Sequence, residues 1–382
     1  MHVCNIISVP YPPCEGIGHY IHGFCDKLIK NGHEVTIITR GNCSKTQHEI
    51  VNGINVIRAP FIPIYPFYIH LHGAFVNKIF KSMESKIDLV HIHTPLSPVV
   101  KTKLPVVTTI HSSMLSDNKN VKIRSVYAFL SKLSARFVSY PLEQKLIGSS
   151  DMITTVSKSV ANELQDYNLD SDKIKILYNG VDKDFFYPVE KKHGKKKQIL
   201  YVGRMDREKG LFDLVESAKQ ICKKHSDVYF TLAGSGRDLS KLKNMVKKIG
   251  LEDRFIFTGQ LDRNRLVEIY QDADLFVFPS YHEGLPTAIL EAMSCGLAIV
   301  ATNVRGNKDL VNDGINGVLI PPRSPVKIVE AITVLLEDEK LQKKLGKNAR
   351  KTIVEKYTWD MVSDRIIECY KNLNNKKTQK NR

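Results

Sequence analysis

Three groups of residues in this 382-residue sequence have types and spacings that could do chemistry. The first is a pair of glutamates, Glu283 and Glu291, in the run Tyr281-His-Glu-Gly-Leu-Pro-Thr-Ala-Ile-Leu-Glu-Ala-Met-Ser-Cys295. Their separation is a little over two helical turns, so both face about the same side. A loop carboxylate can hold sugar hydroxyls, and a deeper helix carboxylate can hold a ribose. Ala288, Ile289, Leu290, Ala292 and Met293 make the helix around Glu291 apolar, so an ionised group there needs a partner. The second group is Arg204 and Lys209 in Gly203-Arg-Met-Asp-Arg-Glu-Lys-Gly210, two cations suited to the two phosphates of a nucleoside diphosphate. The third combines Gly16-Ile-Gly18, where backbone can come close to an anion, with His91 and His93 on one face of a strand and His111 at the carboxyl end of the next.

These residues need elements to position them. Leu275–Ser280 predicts a buried strand, Tyr281–Pro286 a loop, the run from Thr287 a short helix ended by Gly296, and Leu297–Ala301 the next strand. Residues 198–202, 203–210 and 211–223 predict strand, loop and helix. The first half opens alike, with a strand over 2–9, a helix over 19–31 and a strand over 34–39. Further strands are expected at 54–58, 88–93, 106–110, 152–156, 173–177, 228–233, 255–258 and 317–321. Alternating strands and helices imply parallel sheets, whose carboxyl edges bind ligands. Tyr178-Asn-Gly-Val-Asp182 and a lysine-rich linker to residue 198 join the halves. Residues 65–83 are apolar without a legible element. Residues 121–147 predict one long helix, or two broken near Pro141, with Lys122, Arg124, Lys132 and Arg136 beside an apolar stripe of Val126, Phe129, Leu130, Leu133 and Phe137. Helices over 325–337, 339–356 and 359–373 close the chain, before a basic tail.

The stretch from Glu283 to Gly296 resembles the signature of glycosyltransferase family 4, retaining nucleotide-sugar-dependent enzymes of the GT-B fold. Gly203-Arg204 followed by Lys209-Gly210 is similar to the family's second motif, and the matching motifs span residues 10 to 317. The resemblance implies an α/β chain of two facing Rossmann-like domains with a central cleft. Residues 1–180 would be the acceptor side, with helix 359–373 packing back on it. Residues 181–358 would hold the nucleotide sugar, and 374–382 would be a basic tail. It implies that Arg204, Lys209, Gly284, Leu285, Pro286 and Thr287 hold the donor, Glu291 its ribose and Glu283 its sugar. His111 and Glu283 would act at the reacting centre, Gly16 and Gly18 would touch the diphosphate, and His93 would line the acceptor side. The implied reaction moves a hexose or N-acetylhexosamine from a nucleotide sugar, most commonly a UDP-sugar, to a glycan or lipid-linked acceptor in cell-surface glycan or glycolipid synthesis. The chain departs from the family at Glu15, where a glycine is common, and at Arg305 and Asp309, where Gly-Gly and a glutamate are usual.

Composition agrees with a two-domain globular protein, at 42% apolar and 25% charged residues. No apolar run approaches the ~18–20 residues of a membrane span. The first strand lacks the basic start and cleavage site of a signal peptide. Seven scattered cysteines suit reduced thiols in the cytoplasm. Much of the +16 charge sits in Lys191, Lys192, Lys195, Lys196 and Lys197, and in Lys371, Lys376, Lys377, Lys380 and Arg382. With the basic helix, these predict reversible docking on the anionic inner face of the cell membrane, at roughly 1 kcal/mol per basic group. His70-x-His72, His91-x-His93, Asp170-x-Asp172 and Asp272-x-Asp274 lack the companions of a metal set, so neither a metal nor a cofactor is expected. A nucleic-acid-binding protein would explain the charge but not the paired glutamates, so no nucleic-acid partner is expected. A sugar-nucleotide epimerase of the same fold lacks support in the loop motifs, and a phosphorylase needs a pyridoxal-binding lysine that has no evident place.

Overall fold

The computed structural model of the chain describes all residues except 13–15, 44, 66, 115–131, 168, 170, 191–195, 381 and 382. Glu15, residues 121–131 of the basic helix expected over 121–147, and most of the linker lysines therefore lie outside the described residues. The chain divides into two compact units, Met1–Gly180 with Trp359–Arg382, and Val181–Thr358.

The first unit contains β1 (His2–Ile7), α1 (Gly16–Lys30), β2 (Glu34–Arg40), β3 (Gln47–Val51), β4 (Ile54–Ala59), α2 (Tyr68–Met83), β5 (Leu89–His93), β6 (Val106–Ile110), α3 (Tyr140–Gly148), β7 (Met152–Thr155), α4 (Lys158–Glu163) and β8 (Ile174–Ile176). Its sheet has the order β3-β4-β2-β1-β5-β6-β7-β8. Every pairing is parallel except β3 with β4. A parallel sheet covered on both faces needs unbroken apolar runs, and β1, β2, β5 and β6 supply them. Alternation along β1 sends Val3 and Ile7 into one core and Cys4 and Ile6 into another.

The second unit contains β9 (Lys197–Val202), α5 (Leu211–Lys224), β10 (Val228–Ala233), α6 (Leu239–Lys248), β11 (Phe255–Gly259), α7 (Arg263–Asp272), β12 (Leu275–Phe278), α8 (Thr287–Ser294), β13 (Ala298–Thr302), α9 (Arg305–Leu310), β14 (Val318–Ile320), α10 (Pro325–Glu337) and α11 (Glu339–Lys356). Its sheet, β11-β10-β9-β12-β13-β14, is parallel throughout. Strand order reverses between β9 and β12 here, and between β1 and β5 in the first unit. Such reversals open the crevice in which α/β sheets take ligands. Finally α12 (Trp359–Lys380) returns to the first unit, where Trp359, Val362, Ile366 and Tyr370 join the core under α1.

Several elements differ from the sequence expectation. α1 begins at Gly16, not His19, so Gly16 and Gly18 form its first turn and not a loop ahead of it. β3 and α6 were not foreseen, and residues 68–83 form α2. Pro141 breaks nothing: it sits in the first turn of α3, behind a π-helical turn over Ala135–Ser139 whose wider ladder tolerates a missing N–H. α12 runs to Lys380, well past the expected stop at Leu373. Lys377 there is no loose tail lysine, since its ammonium reaches Asp151 at 2.8 Å and the Leu104 carbonyl at 2.8 Å.

Candidate active site

In the second unit the loops after β9 and β12 meet at the strand-order reversal. The Tyr281 N–H donates to the Glu208 carbonyl at 2.8 Å, and the Ser280 hydroxyl to the same oxygen at 3.3 Å. Gly210 takes a left-handed φ of +69°, and a Cβ on it would lie 2.0 Å from the Pro279 carbonyl oxygen. Only glycine allows that approach. The result is an ion pair across the two loops, Lys209 Nζ to Glu283 Oε1 at 2.6 Å, with side chains 14% and 10% exposed. A pair this far from water is strong because neither partner is well solvated, and losing one strands the other.

Arg204 stands beside it, largely exposed, with Nη1 2.9 Å from Asp206 Oδ2. Asp206 also accepts from the Arg237 N–H at 3.0 Å and from Arg237 Nε at 3.3 Å. Burial works to raise the Asp206 carboxyl, but these hydrogen bonds and the two guanidinium charges hold it below the usual carboxylate value. Asp206 thus fixes two arginines at one sheet edge. Sequence reasoning missed Asp206 and Arg237; the available signal was the Gly234-Ser-Gly236 turn ahead of Arg237. Gly234 and Gly236 are needed there, because a Cβ would strike the Gly203 carbonyl oxygen at 2.1 Å and the Met205 backbone at 2.5 Å.

α8 starts next to this cluster. Pro286 is its N-cap and offers no side-chain hydrogen bond to the first-turn N–H groups of Thr287, Ala288 and Ile289. A helix end of this kind favours an anion. Gly284 and Leu285 form the loop before it, braced by Gly306, whose Cβ would lie 1.8 Å from the Gly284 carbonyl oxygen. Arg305 precedes that glycine with φ +26°, and its Nη1 lies 3.1 Å from His282 Nδ1.

The two glutamates share no protein partner. Glu283 goes to Lys209, whereas Glu291 accepts from the Tyr270 hydroxyl at 2.9 Å. Glu291 is partly open to solvent but surrounded by protein. Burial pushes its carboxyl up to about 7, against smaller lowering effects from Tyr270 and Arg263. Asp274 is structural, accepting from the Gln198 N–H at 2.7 Å where β9 begins.

In the first unit, α1 begins on the loop after β1, and Gly18 is buried in its first turn. His93 ends β5 and His111 follows β6. Both are buried, with His93 Nδ1 3.4 Å from His111 Nε2 and His93 Nε2 3.1 Å from Asn5 Oδ1. His93 uses both ring nitrogens inside the protein, so it reaches a ligand only through its neighbour. His91 bonds Tyr370 and Thr109, each at 2.6 Å. Tyr20 packs edge-on against His111 with centroids 5.0 Å apart. Burial pushes His91 and His111 down to about 3 and His93 well below its ordinary value. Among the described residues no three His, Cys, Asp or Glu side chains converge as a metal set.

Two family models match the chain, one described as glycosyltransferase family 4 over residues 15–185 and one as glycosyl transferases group 1 over residues 182–352. The chain is 27% identical to an uncharacterised glycosyltransferase of Methanocaldococcus jannaschii, over 96% of this chain and 97% of that protein. It is 29% identical to the UDP-Gal:alpha-D-GlcNAc-diphosphoundecaprenol alpha-1,3-galactosyltransferase of Escherichia coli, over 75% and 76% of the two chains. Among solved structures, sucrose-phosphate synthase from Thermosynechococcus elongatus superposes with a TM-score of 0.82 at 23% identity, over 97% and 98% of the chains.

Proposed function

The chain belongs to glycosyltransferase family 4, group 1, with that family's GT-B fold, and from that premise we propose that it is a retaining, metal-independent hexosyltransferase using a UDP-sugar. The observation that carries this is the pairing of Lys209 with Glu283 at the strand-order reversal, beside Arg204 and the start of α8. The chemical need is to stabilise charge building on a departing diphosphate. Arg204, Lys209 and the first-turn N–H groups of α8 are fixed positive dipoles and charges that could meet it. Glu291 accepts from the ribose hydroxyls, while Glu283, already holding Lys209, faces the sugar. In the first unit, His111 is the residue we assign to the sugar, and Gly16 and Gly18 are the positions where backbone would be offered.

For the acceptor we propose a glycan or a lipid-linked sugar met at an anionic membrane surface. The Escherichia coli relative named above bears a diphosphoundecaprenol acceptor in its name. Among the described residues no helix is long and apolar enough to cross a membrane. The loop after β4 exposes Ile64, Tyr65 and Phe67, each 55–58% open, and Leu71 follows in α2. Residues 61–83 carry Lys78 and Lys81, the second paired with Glu84 at 2.6 Å. Exposed aromatics beside lysine suit an anionic lipid interface better than water.

A thermal-shift screen of nucleotide sugars tests the donor. A UDP-sugar should raise the melting temperature by mass action, and activity with it should survive excess chelator. No shift with any uridine nucleotide, or turnover restored only by added Mg²⁺ or Mn²⁺, would overturn the donor or the metal-independent reading respectively.

A further inference from the structure

Beneath the carboxyl edge of the first unit's sheet lies a directed chain of side chains, Asn5 to His93 to His111. Its members come from three adjacent strands, β1, β5 and the end of β6; Asn5 is level with His91 and His93 with Thr109, so the three share one face and step two residues toward the carboxyl edge from strand to strand. The distances are 3.1 Å from Asn5 Oδ1 to His93 Nε2 and 3.4 Å from His93 Nδ1 to His111 Nε2. All three side chains are buried. Burial keeps both imidazoles neutral at ordinary pH, so each ring has one N–H and one lone pair.

That constraint gives the chain a direction. Asn5 is assigned with its carbonyl oxygen toward His93 and its buried Nδ2 without a partner among the described residues; in that orientation the oxygen can only accept, so the proton of His93 sits on Nε2. His93 Nδ1 is then a lone pair and must accept. The proton of His111 therefore sits on Nε2, and His111 Nδ1 is left as an acceptor. Among the described residues no group bonds that nitrogen, and it is not among the sealed polar atoms of the interior. His91 stands outside the chain, since Thr109 and Tyr370 take both its nitrogens. The hydrogen bond on one ring nitrogen decides what the other can do.

We propose that Asn5 and His93 are positioning residues that lock His111 in its Nε2–H tautomer, so that Nδ1 faces the bound sugar as a hydrogen-bond acceptor for one hydroxyl. This rests on the placement of His111 at the sugar. The site would then recognise a hydroxyl that donates, and would reject a sugar whose group at that point can only accept.

Ring-nitrogen NMR on histidine-labelled full-length protein reads the tautomer directly, with His111→Gln assigning the signals. In the wild type the His111 ring should show a single tautomer protonated at Nε2. Protonation at Nδ1, or an even mixture, overturns the proposal. Asn5→Leu should release His93 and leave His111 divided between tautomers. For equal populations, apparent affinity for the donor sugar falls about twofold through the competent fraction alone, with binding of UDP itself unchanged. A Leu variant that keeps the single Nε2–H tautomer shows that Asn5 does not set it, and so rejects the relay. Should Asn5→Leu fail to fold, the wild-type spectrum still decides. An Nε2–H tautomer in a protein that transfers no sugar would uphold the relay and sink the placement of His111 at a sugar, so the two failures are distinguishable.

Discussion

Replacing Glu291 by glutamine should uncouple nucleotide-sugar affinity from pH. Burial raises the Glu291 carboxyl to about 7. Ribose hydroxyls donate, so the ionised form should bind and the protonated form should bind poorly. About one molecule in eleven is ionised at pH 6 and about ten in eleven at pH 8, so affinity should rise about tenfold across that range. UDP-glucose is the better probe than UDP, because its doubly esterified diphosphate has no proton to lose near neutrality. Three buried histidines of the first unit are silent in this window, His91 and His111 having been pushed down to about 3 and His93 well below its ordinary value. Calorimetry at constant ionic strength from pH 6 to pH 8 gives the slope. Folding supplies an independent reading. The folded carboxyl holds its proton more tightly than the unfolded chain does, near 4.5. Stability is therefore untouched below pH 4.5 and is lost as pH climbs toward and past 7, by up to ~3 kcal/mol, less what partial exposure screens. Glu291→Gln should match the wild type near pH 5 and melt higher at pH 8, while binding weakly at every pH. A flat wild-type affinity profile, or the same slope in the variant, would refute the reasoning.

Three further outcomes are expected. Arg204→Ala and Lys209→Ala should each weaken UDP binding by roughly 1.5–3 kcal/mol in calorimetry, but only Lys209→Ala should also lower the melting temperature, because it alone strands a poorly solvated partner, Glu283; equal melting temperatures would discount the buried pair. Gly210→Ala should destabilise the second unit by about 2 kcal/mol or more, since the left-handed φ and the 2.0 Å approach to Pro279 both oppose a Cβ. That predicts a melting temperature lower by roughly 4–8 °C, and an unchanged one would show that the two loops can part freely. Co-sedimentation with anionic vesicles should weaken in Phe67→Ser and in 1 M salt, where the Debye length is about 3 Å; equal binding to neutral lipid would reject the electrostatic share of the docking.

The parallel strands of both sheets were legible because they are short apolar runs between turn residues, as in Val106–Ile110 and Val228–Ala233. β3 escaped because Gln47–Val51 is an exposed edge strand held mainly by pairing to β4, with no buried face to leave a pattern. α2 escaped for the opposite reason. Its buried Ile69, His72, Val76 and Phe80 have helical spacing, but exposed Leu71 and a run of aromatics blur it. The start of α1 was set late because glycine is a poor helix former, yet a first turn needs no interior propensity. At the site, residue types and strand ends were legible and partners were not. Nothing local links Glu291 to Tyr270, or Arg204 to Arg237 through Asp206. Those pairings exist only once separate strands lie side by side.

The return of α12 to the first unit bears on how the chain is made. The second unit is one continuous stretch, Val181–Thr358, but the first is assembled from Met1–Gly180 and Trp359–Arg382. Trp359 fills space left by Gly23 and Gly180, where a Cβ would approach its ring at 2.4 Å and 2.6 Å, and Tyr370 closes the buried hydrogen bond to His91. A ribosome therefore delivers the whole second unit before the first can seal its core. The part of the protein written first finishes folding last, and until then the floor beneath α1 is open apolar surface. Loss of the final helix would strand the nascent chain at that half-closed stage, with an intact second unit beside a first one exposed to chaperones and proteases.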